Sequence, residues 1–366
     1  MTSTGIEPLT GYTVAVTADR RRDELAGLLE RRGARVVLAP ALRIVPLADD
    51  TELRIATLAC VAKPLDTVII NTGVGLRGWL EAAEGWGQAA RLRSRFADSY
   101  LVARGPKARA AVRATGLVET WSPESDSDDE VLDHLLDVGV AGRRIALQLY
   151  GEPQPEFSAT LREAGADVVE VPVYRWAPPL DPAPLRRLVD LTATRLVDAV
   201  TFTSAPAVGS LLRAAGPDAD AVLDALRTDV VAGCVGPVTA APLRRRGVPV
   251  IQPPRARLGA LVRCLVDELP RRSRTIRIAG TPVTLRGHAA VVDGTLRPLA
   301  PAPMAVLRAL ADSPGRVLSR ASLLRALPRG ATEHAVEMAV ARLRAALGGT
   351  WYVQTVVKRG YRLRVD

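Results

Sequence analysis

Asp66-Thr-Val-Ile-Ile-Asn-Thr72 and Asp198-Ala-Val-Thr-Phe-Thr-Ser204 follow one pattern: an acidic residue, a run of β-forming residues and a closing hydroxyl. The two stretches stand 132 residues apart, and three further pairs recur at a spacing of 131 or 132. Gly11-Tyr-Thr-Val-Ala-Val matches Gly142-Arg-Arg-Ile-Ala-Leu, and Gly33-Ala-Arg-Val-Val matches Gly165-Ala-Asp-Val-Val. Arg104-Gly105-Pro106 matches Val235-Gly236-Pro237. Four matches at spacings of 131 to 132 imply an internal duplication. The expected fold is an α/β two-lobed body with an interlobe cleft, a common setting for a small-molecule site.

Working outward, apolar runs alternate with helix-like segments from residue 11 to 270. Strands are expected at Tyr12–Thr17, Arg35–Ala39, Asp66–Thr72, Tyr100–Ala103, Ile145–Leu149, Val168–Tyr174, Ala199–Ser204, Val230–Val235 and Val248–Ile251. One lobe is expected from 11–42 plus 177–270, the other from 46–172. At Leu269-Pro-Arg-Arg-Ser-Arg-Thr275 proline and clustered arginine end a helical run. That gives a body at 1–270, a linker at 271–275 and an α+β module at 276–366. In the module, short strands are expected at Thr275–Ala279, Val283–Leu285 and Ala289–Val292, with Asp293-Gly294 as a hairpin turn. Helices should cover Pro303–Asp312, Ser319–Leu327 and Thr332–Leu347, before a terminal hairpin tipped by Lys358-Arg359-Gly360.

The charge is unevenly placed. Residues 271–366 hold 17 Lys and Arg against 5 Asp and Glu, whereas the first 270 residues hold 32 against 34. A basic module on a near-neutral body is the electrostatic footprint of nucleic-acid binding. With 48% hydrophobic and 24% charged residues the chain has ample core material. Cys60, Cys234 and Cys264 are too far apart for a zinc site or a disulfide framework, which suits a reducing cytoplasm; no metal is expected. No apolar stretch is long enough to cross a membrane, and the amino terminus lacks a signal-peptide pattern.

On the last helix Val336, Val340, Leu343 and Leu347 share one face, leaving His334, Met338 and Arg342 outward and Arg344 near the boundary. Together with Pro314-Gly-Arg-Val-Leu-Ser-Arg320 and Thr355 through Leu363, this resembles the OmpR/PhoB-type winged-helix family. The resemblance implies double-stranded DNA as partner, the helix in the major groove and the hairpin wing at the minor groove. His334, Arg342 and Arg344 would face bases or phosphates, with Lys358 and Arg359 as wing contacts. Val357 stands where the family's wing usually has arginine, and Ala339 and Ala341 replace residues often basic. The sparse basic face favours a homodimer on DNA.

The body resembles the uroporphyrinogen-III synthase family through Val14-Ala-Val-Thr17, Gly165 to Tyr174, Phe202-Thr-Ser204, Gly236-Pro-Val-Thr-Ala240 and the closing Leu258–Leu269 helix. That family cyclises hydroxymethylbilane, a linear tetrapyrrole with eight carboxylates, without a cofactor. The resemblance implies Tyr174 as proton donor to the departing hydroxide, although a strand tyrosine packed at the lobe junction is the competing reading. Ser204, Thr239 and Thr72 would hold substrate carboxylates, helped by Arg20, Arg104 and Lys107.

Two departures weigh against turnover: Ala108 stands opposite Thr239 in the duplication, and Asn71-Thr72-Gly73 is a variant segment. The expectation is therefore a transcription regulator rather than an enzyme, whose body senses an acidic tetrapyrrole or other small acid, or mediates dimerisation. Such fusions resemble actinobacterial regulators tied to nitrate and nitrite assimilation. The alternatives are an active synthase with an accessory DNA-binding domain, and a body that only dimerises the wings.

Overall fold

A computed structural model describes residues 6–124, 127–327 and 332–365. It divides into two compact units, Met1–Ala41 with Pro179–Asp366, and Leu42–Pro178. The strands in chain order are β1 (Thr13–Val16), β2 (Arg35–Leu38), β3 (Arg43–Pro46), β4 (Thr67–Ile70), β5 (Tyr100–Ala103), β6 (Arg144–Gln148), β7 (Asp167–Val171), β8 (Tyr174–Ala177), β9 (Ala199–Phe202), β10 (Val231–Cys234) and β11 (Val250–Ile251). The carboxyl-terminal domain adds β12 (Arg274–Ile278), β13 (Thr281–Arg286), β14 (Ala289–Val292), β15 (Thr295–Pro298), β16 (Val353–Val356) and β17 (Gly360–Leu363).

The duplication is visible in the topology. The first unit holds a parallel sheet ordered β2-β1-β9-β10-β11, the second a parallel sheet ordered β7-β6-β4-β5. Under the repeat, β1 corresponds to β6, β2 to β7, β9 to β4 and β10 to β5, so both sheets have one order and each takes strands from both halves. Where β10 pairs with β11, the second sheet has a single parallel bridge, Val102 to Trp121. The central strands Thr13–Val16, Thr67–Ile70 and Ala199–Phe202 are buried at every residue. Helices cover both faces of such a sheet, which accounts for their unbroken apolar runs.

Two expectations need correction. The run expected at Val168–Tyr174 breaks at Pro172, which has no N–H to donate to the ladder. Its end instead opens β8, which pairs antiparallel with β3, Tyr174 opposite Pro46. In the carboxyl-terminal domain four strands form an antiparallel meander, β12 to β15, one more than expected.

The carboxyl-terminal domain is α+β. Helices Pro301–Asp312, Arg320–Ala326 and Glu333–Leu347 precede the β16-β17 hairpin. Its core collects Ile278, Val283, Leu307, Leu310, Val336, Val340, Leu343 and Leu347. Among the described residues no helix is long and apolar enough to cross a membrane.

Candidate functional site

In parallel α/β sheets ligands gather beyond the carboxyl ends of the strands, where helix amino termini present unpaired amides. The expected ligand residues follow those ends. In the second unit Thr72 follows β4, Arg104 and Lys107 follow β5, and Tyr174 lies beyond β7. In the first unit Arg20 follows β1, Ser204 follows β9 and Thr239 follows β10.

Within the second unit the structure joins Thr72 to Tyr174. Their hydroxyl oxygens are 3.2 Å apart, and Tyr174 is only 7% exposed. Thr72 caps the helix Gly73–Gly85: its Oγ1 accepts from the Gly75 amide at 3.1 Å. Gln148, fully buried on β6, accepts from the Thr72 amide at 3.0 Å, and its carbonyl accepts from Asn71 Nδ2 at 2.7 Å. A Cβ on Gly75 would stand 2.1 Å from Gln148 Nε2, so glycine is what lets the cap approach this side chain. The Asn71-Thr72-Gly73 segment thus supplies a positioned hydroxyl beside the tyrosine.

Arg104 is held between two partners. Its guanidinium is 2.9 Å from Asp128 Oδ1 and lies 4.1 Å above the centroid of the Tyr150 ring, while the Tyr150 phenol donates to Asp128 Oδ2. Burial, then the neighbouring Asp128 carboxylate, push the Tyr150 phenol up to about 12. Sequence reasoning found Arg104 but missed Tyr150 and Asp128. The three are spread over 46 positions, and Asp128 reads as an ordinary acidic residue of a helix first turn. Lys107 is exposed, and Ala108 is buried in the core.

In the first unit Ser204 opens the helix Ala205–Ala215 but makes no side-chain cap, unlike its repeat counterpart Thr72. Thr239 lies buried in the first turn of the helix Pro237–Arg244. Arg20 is exposed. Cys60 and Cys234 are buried, and desolvation pushes both thiols up to about 12, so neither is a ready nucleophile. No metal-binding group of three or more ligand residues occurs among the described residues.

On the carboxyl-terminal domain Arg342 is exposed on the helix Glu333–Leu347. His334 is also exposed, with Nδ1 4.0 Å from Glu337. Lys358 and Arg359 are exposed at the hairpin tip, where Lys358 adopts a positive φ of 59°. Arg344 is placed differently. Its guanidinium donates to the Val353 carbonyl at 2.9 and 2.6 Å and to Thr355 Oγ1 at 2.9 Å, tying helix to wing.

Residues 23–263 match the family model described as uroporphyrinogen-III synthase HemD, about two thirds of the chain. The chain belongs to the uroporphyrinogen-III synthase family. A mutant uroporphyrinogen III synthase from Thermus thermophilus superposes with a TM-score of 0.61 at 31% identity, covering 70% of this chain and all of that one. An uncharacterized protein of Bacillus subtilis, YjjA, is 30% identical over 69% of this chain and 94% of its own length. A putative uroporphyrinogen-III synthase of Methanothermobacter thermautotrophicus is 26% identical over 66% of this chain and 92% of its own. Residues 294–363 match a second family model, the carboxyl-terminal domain of transcriptional regulatory proteins.

This synthase-family chain is therefore a fusion of a synthase-like body and a winged-helix DNA-binding domain. The expectation that it is not an enzyme is corrected: the family match, and the 31% identity to a solved synthase along that chain's whole length, argue against it. Along the sequence, Ala108 and the Asn71-Thr72-Gly73 variant count as losses. In the fold, Thr72 of that same variant stands against Tyr174.

Proposed function

We propose that the chain is an active uroporphyrinogen-III synthase that also binds DNA. The observation that carries the reading is the Thr72–Tyr174 hydroxyl pair at 3.2 Å, beyond the strand ends of a synthase-family body. Cyclisation of hydroxymethylbilane requires its terminal hydroxyl to leave, and a departing hydroxide needs a proton. Thr72 Oγ1 already accepts the Gly75 amide, so its own proton can go to the Tyr174 oxygen. The phenol then accepts from Thr72 and donates to the leaving hydroxyl. Ser204, Thr239 and the amino termini of helices Gly73–Gly85, Pro106–Ala114, Ala205–Ala215 and Pro237–Arg244 serve as carboxylate anchors. Arg20, Arg104 and Lys107 add positive potential. No cofactor enters the scheme.

The DNA-binding domain supports a regulatory role for the same chain. Arg342 on the recognition helix reads bases or phosphate, and Lys358 and Arg359 hold the backbone or minor groove. Arg344 acts by fixing the wing to the helix. His334 opens the helix face. Two protomers on a repeated half-site compensate for the few basic groups on each. A link to nitrate and nitrite assimilation follows from the resemblance to actinobacterial fusions, since sirohaem derives from the synthase product. Incubation of the purified chain with hydroxymethylbilane, followed by separation of the product isomers, tests the enzymatic reading.

A further inference from the structure

Asp66 and Asp198 are equivalent in the duplication and do the same backbone job. Asp66 Oδ2 accepts from the Arg144 amide at 2.7 Å, and Asp198 Oδ2 accepts from the Thr13 amide at 2.7 Å. Each stitches the start of one strand to the start of its neighbour. Their surroundings differ. Asp66 is exposed, whereas the Asp198 side chain is only 10% exposed because the DNA-binding domain sits over it.

The covering contacts come from the β13-β14 turn and the helix Pro301–Asp312. The His288 amide donates to the Gly11 carbonyl at 2.7 Å, and its Nε2 donates to the Leu196 carbonyl at 2.7 Å. Arg286 donates to the Pro8 carbonyl, its guanidinium 5.2 Å from the centroid of the Tyr12 ring. Arg308 donates to the Gly287 carbonyl at 2.8 Å and approaches Asp198 Oδ1 at 3.6 Å. Burial pushes the Asp198 carboxyl up, and His288, the Thr13 amide and Arg308 pull it back.

One backbone position shows that the approach is specific. Gly287 has φ +51°, and a Cβ there would stand 2.5 Å from the Gly11 carbonyl oxygen and 2.6 Å from Asp198 Oδ2. Gly294, in the next turn of the same sheet, has φ +73° but nothing within 4 Å of its Cβ position. Of these two glycines, Gly287 is the one at which the first lobe forbids a side chain.

These contacts lie at the amino ends of β1 and β9, whereas Arg20 and Ser204 follow the carboxyl ends. A four-residue strand separates the two edges by about 13 Å. Arg342, Lys358 and Arg359 stay exposed while the domain is seated. We propose that this seam is a built docking interface that makes the DNA-binding domain a rigid extension of the first lobe and persists when DNA is bound. The last clause rests on the DNA-binding reading above; the docking does not.

Hydrogen exchange on the full chain tests it, read on the side opposite each substitution. Gly287→Ala should speed exchange of residues 6–16 roughly tenfold, the scale expected when a hydrogen bond or two across such a seam no longer forms. Gly294→Ala, equally strained but unopposed, should not. Asp198→Asn should likewise expose residues 284–290, with Asp66→Asn as the matched control, and Arg308→Met covers the case in which Asp198→Asn fails to fold. Adding a short duplex at low salt should leave residues 6–16 protected, with a parallel mobility shift reporting whether the duplex is bound. Equal exchange in Gly287→Ala and Gly294→Ala, no change in Arg308→Met, or loss of protection in the DNA-bound protein would each overturn the proposal.

Discussion

The phenol of Tyr174 and the hydroxyl of Thr72 stand 3.2 Å apart although 102 residues separate them in the chain. Thr72 is simultaneously the cap of the helix Gly73–Gly85, so the position of the tyrosine's partner is fixed by the same bond that starts the helix. Thr72→Val should therefore have two effects. Losing the cap should lower unfolding free energy by about 1 kcal/mol. Losing the hydroxyl beside Tyr174 should lower kcat about tenfold with KM little changed, because in the proposed scheme that hydroxyl positions the proton donor instead of holding a substrate carboxylate, the role the family resemblance implies for it. Thr72→Ser should restore most of both, and steady-state kinetics beside denaturant titration separates them.

The Arg104–Asp128–Tyr150 cluster makes a spectroscopic prediction. Burial raises the Tyr12 phenol and carries the Tyr150 phenol up to about 12 in the folded chain, so Tyr150 should contribute to a late-ionising phase that persists after the exposed tyrosines have ionised. The sign follows from the raised pKa: this group's contribution to stability is complete below the ordinary tyrosine pKa near 10 and is lost as pH rises through about 12. Alkaline absorbance titration should show a late phase smaller by one phenol in Tyr150→Phe than in the wild type. Asp128→Asn should move the Tyr150 share of that phase to lower pH.

For DNA, four residues predict three kinds of change. Lys358→Ala and Arg359→Ala in the full chain should weaken binding to all sequences and flatten the slope of log affinity against log salt by about 0.9 for each phosphate no longer neutralised. Arg342→Ala should relax sequence preference. Arg344→Ala should lower the stability of the carboxyl-terminal domain before it alters any salt slope, because its donors are used on Val353 and Thr355. Salt-dependent anisotropy titrations beside thermal melts distinguish the three. Unchanged salt slopes in the Lys358 and Arg359 variants would remove the wing from the DNA interface.

Residues that recur were readable, and residues that meet only through folding were not. β4 and β9 could be read because each is an unbroken run of β-forming residues repeated at 132 residues. β3 and β8 could not: Arg43-Ile-Val-Pro46 and Tyr174-Arg-Trp-Ala177 are short and interrupted by charge or proline, and each is a strand only because the other pairs with it. The helix Glu333–Leu347 followed from the spacing of Val336, Val340, Leu343 and Leu347. Nothing local said that Arg344 would turn back onto the Val353 carbonyl. The same limit misjudged catalysis: Ala108 and the Asn71-Thr72-Gly73 variant are visible in one dimension, and the Thr72–Tyr174 pair is not.

The most direct test of the central claim is the isomer ratio of uroporphyrinogen formed from hydroxymethylbilane. Spontaneous ring closure yields the type I isomer, so type III reports the enzyme. The wild-type chain is expected to give predominantly type III, and Tyr174→Phe to form it at least about 100-fold more slowly, the usual scale for removing a general acid. A wild-type chain that is folded by circular dichroism yet gives only type I, at the rate seen without protein, would contradict the account.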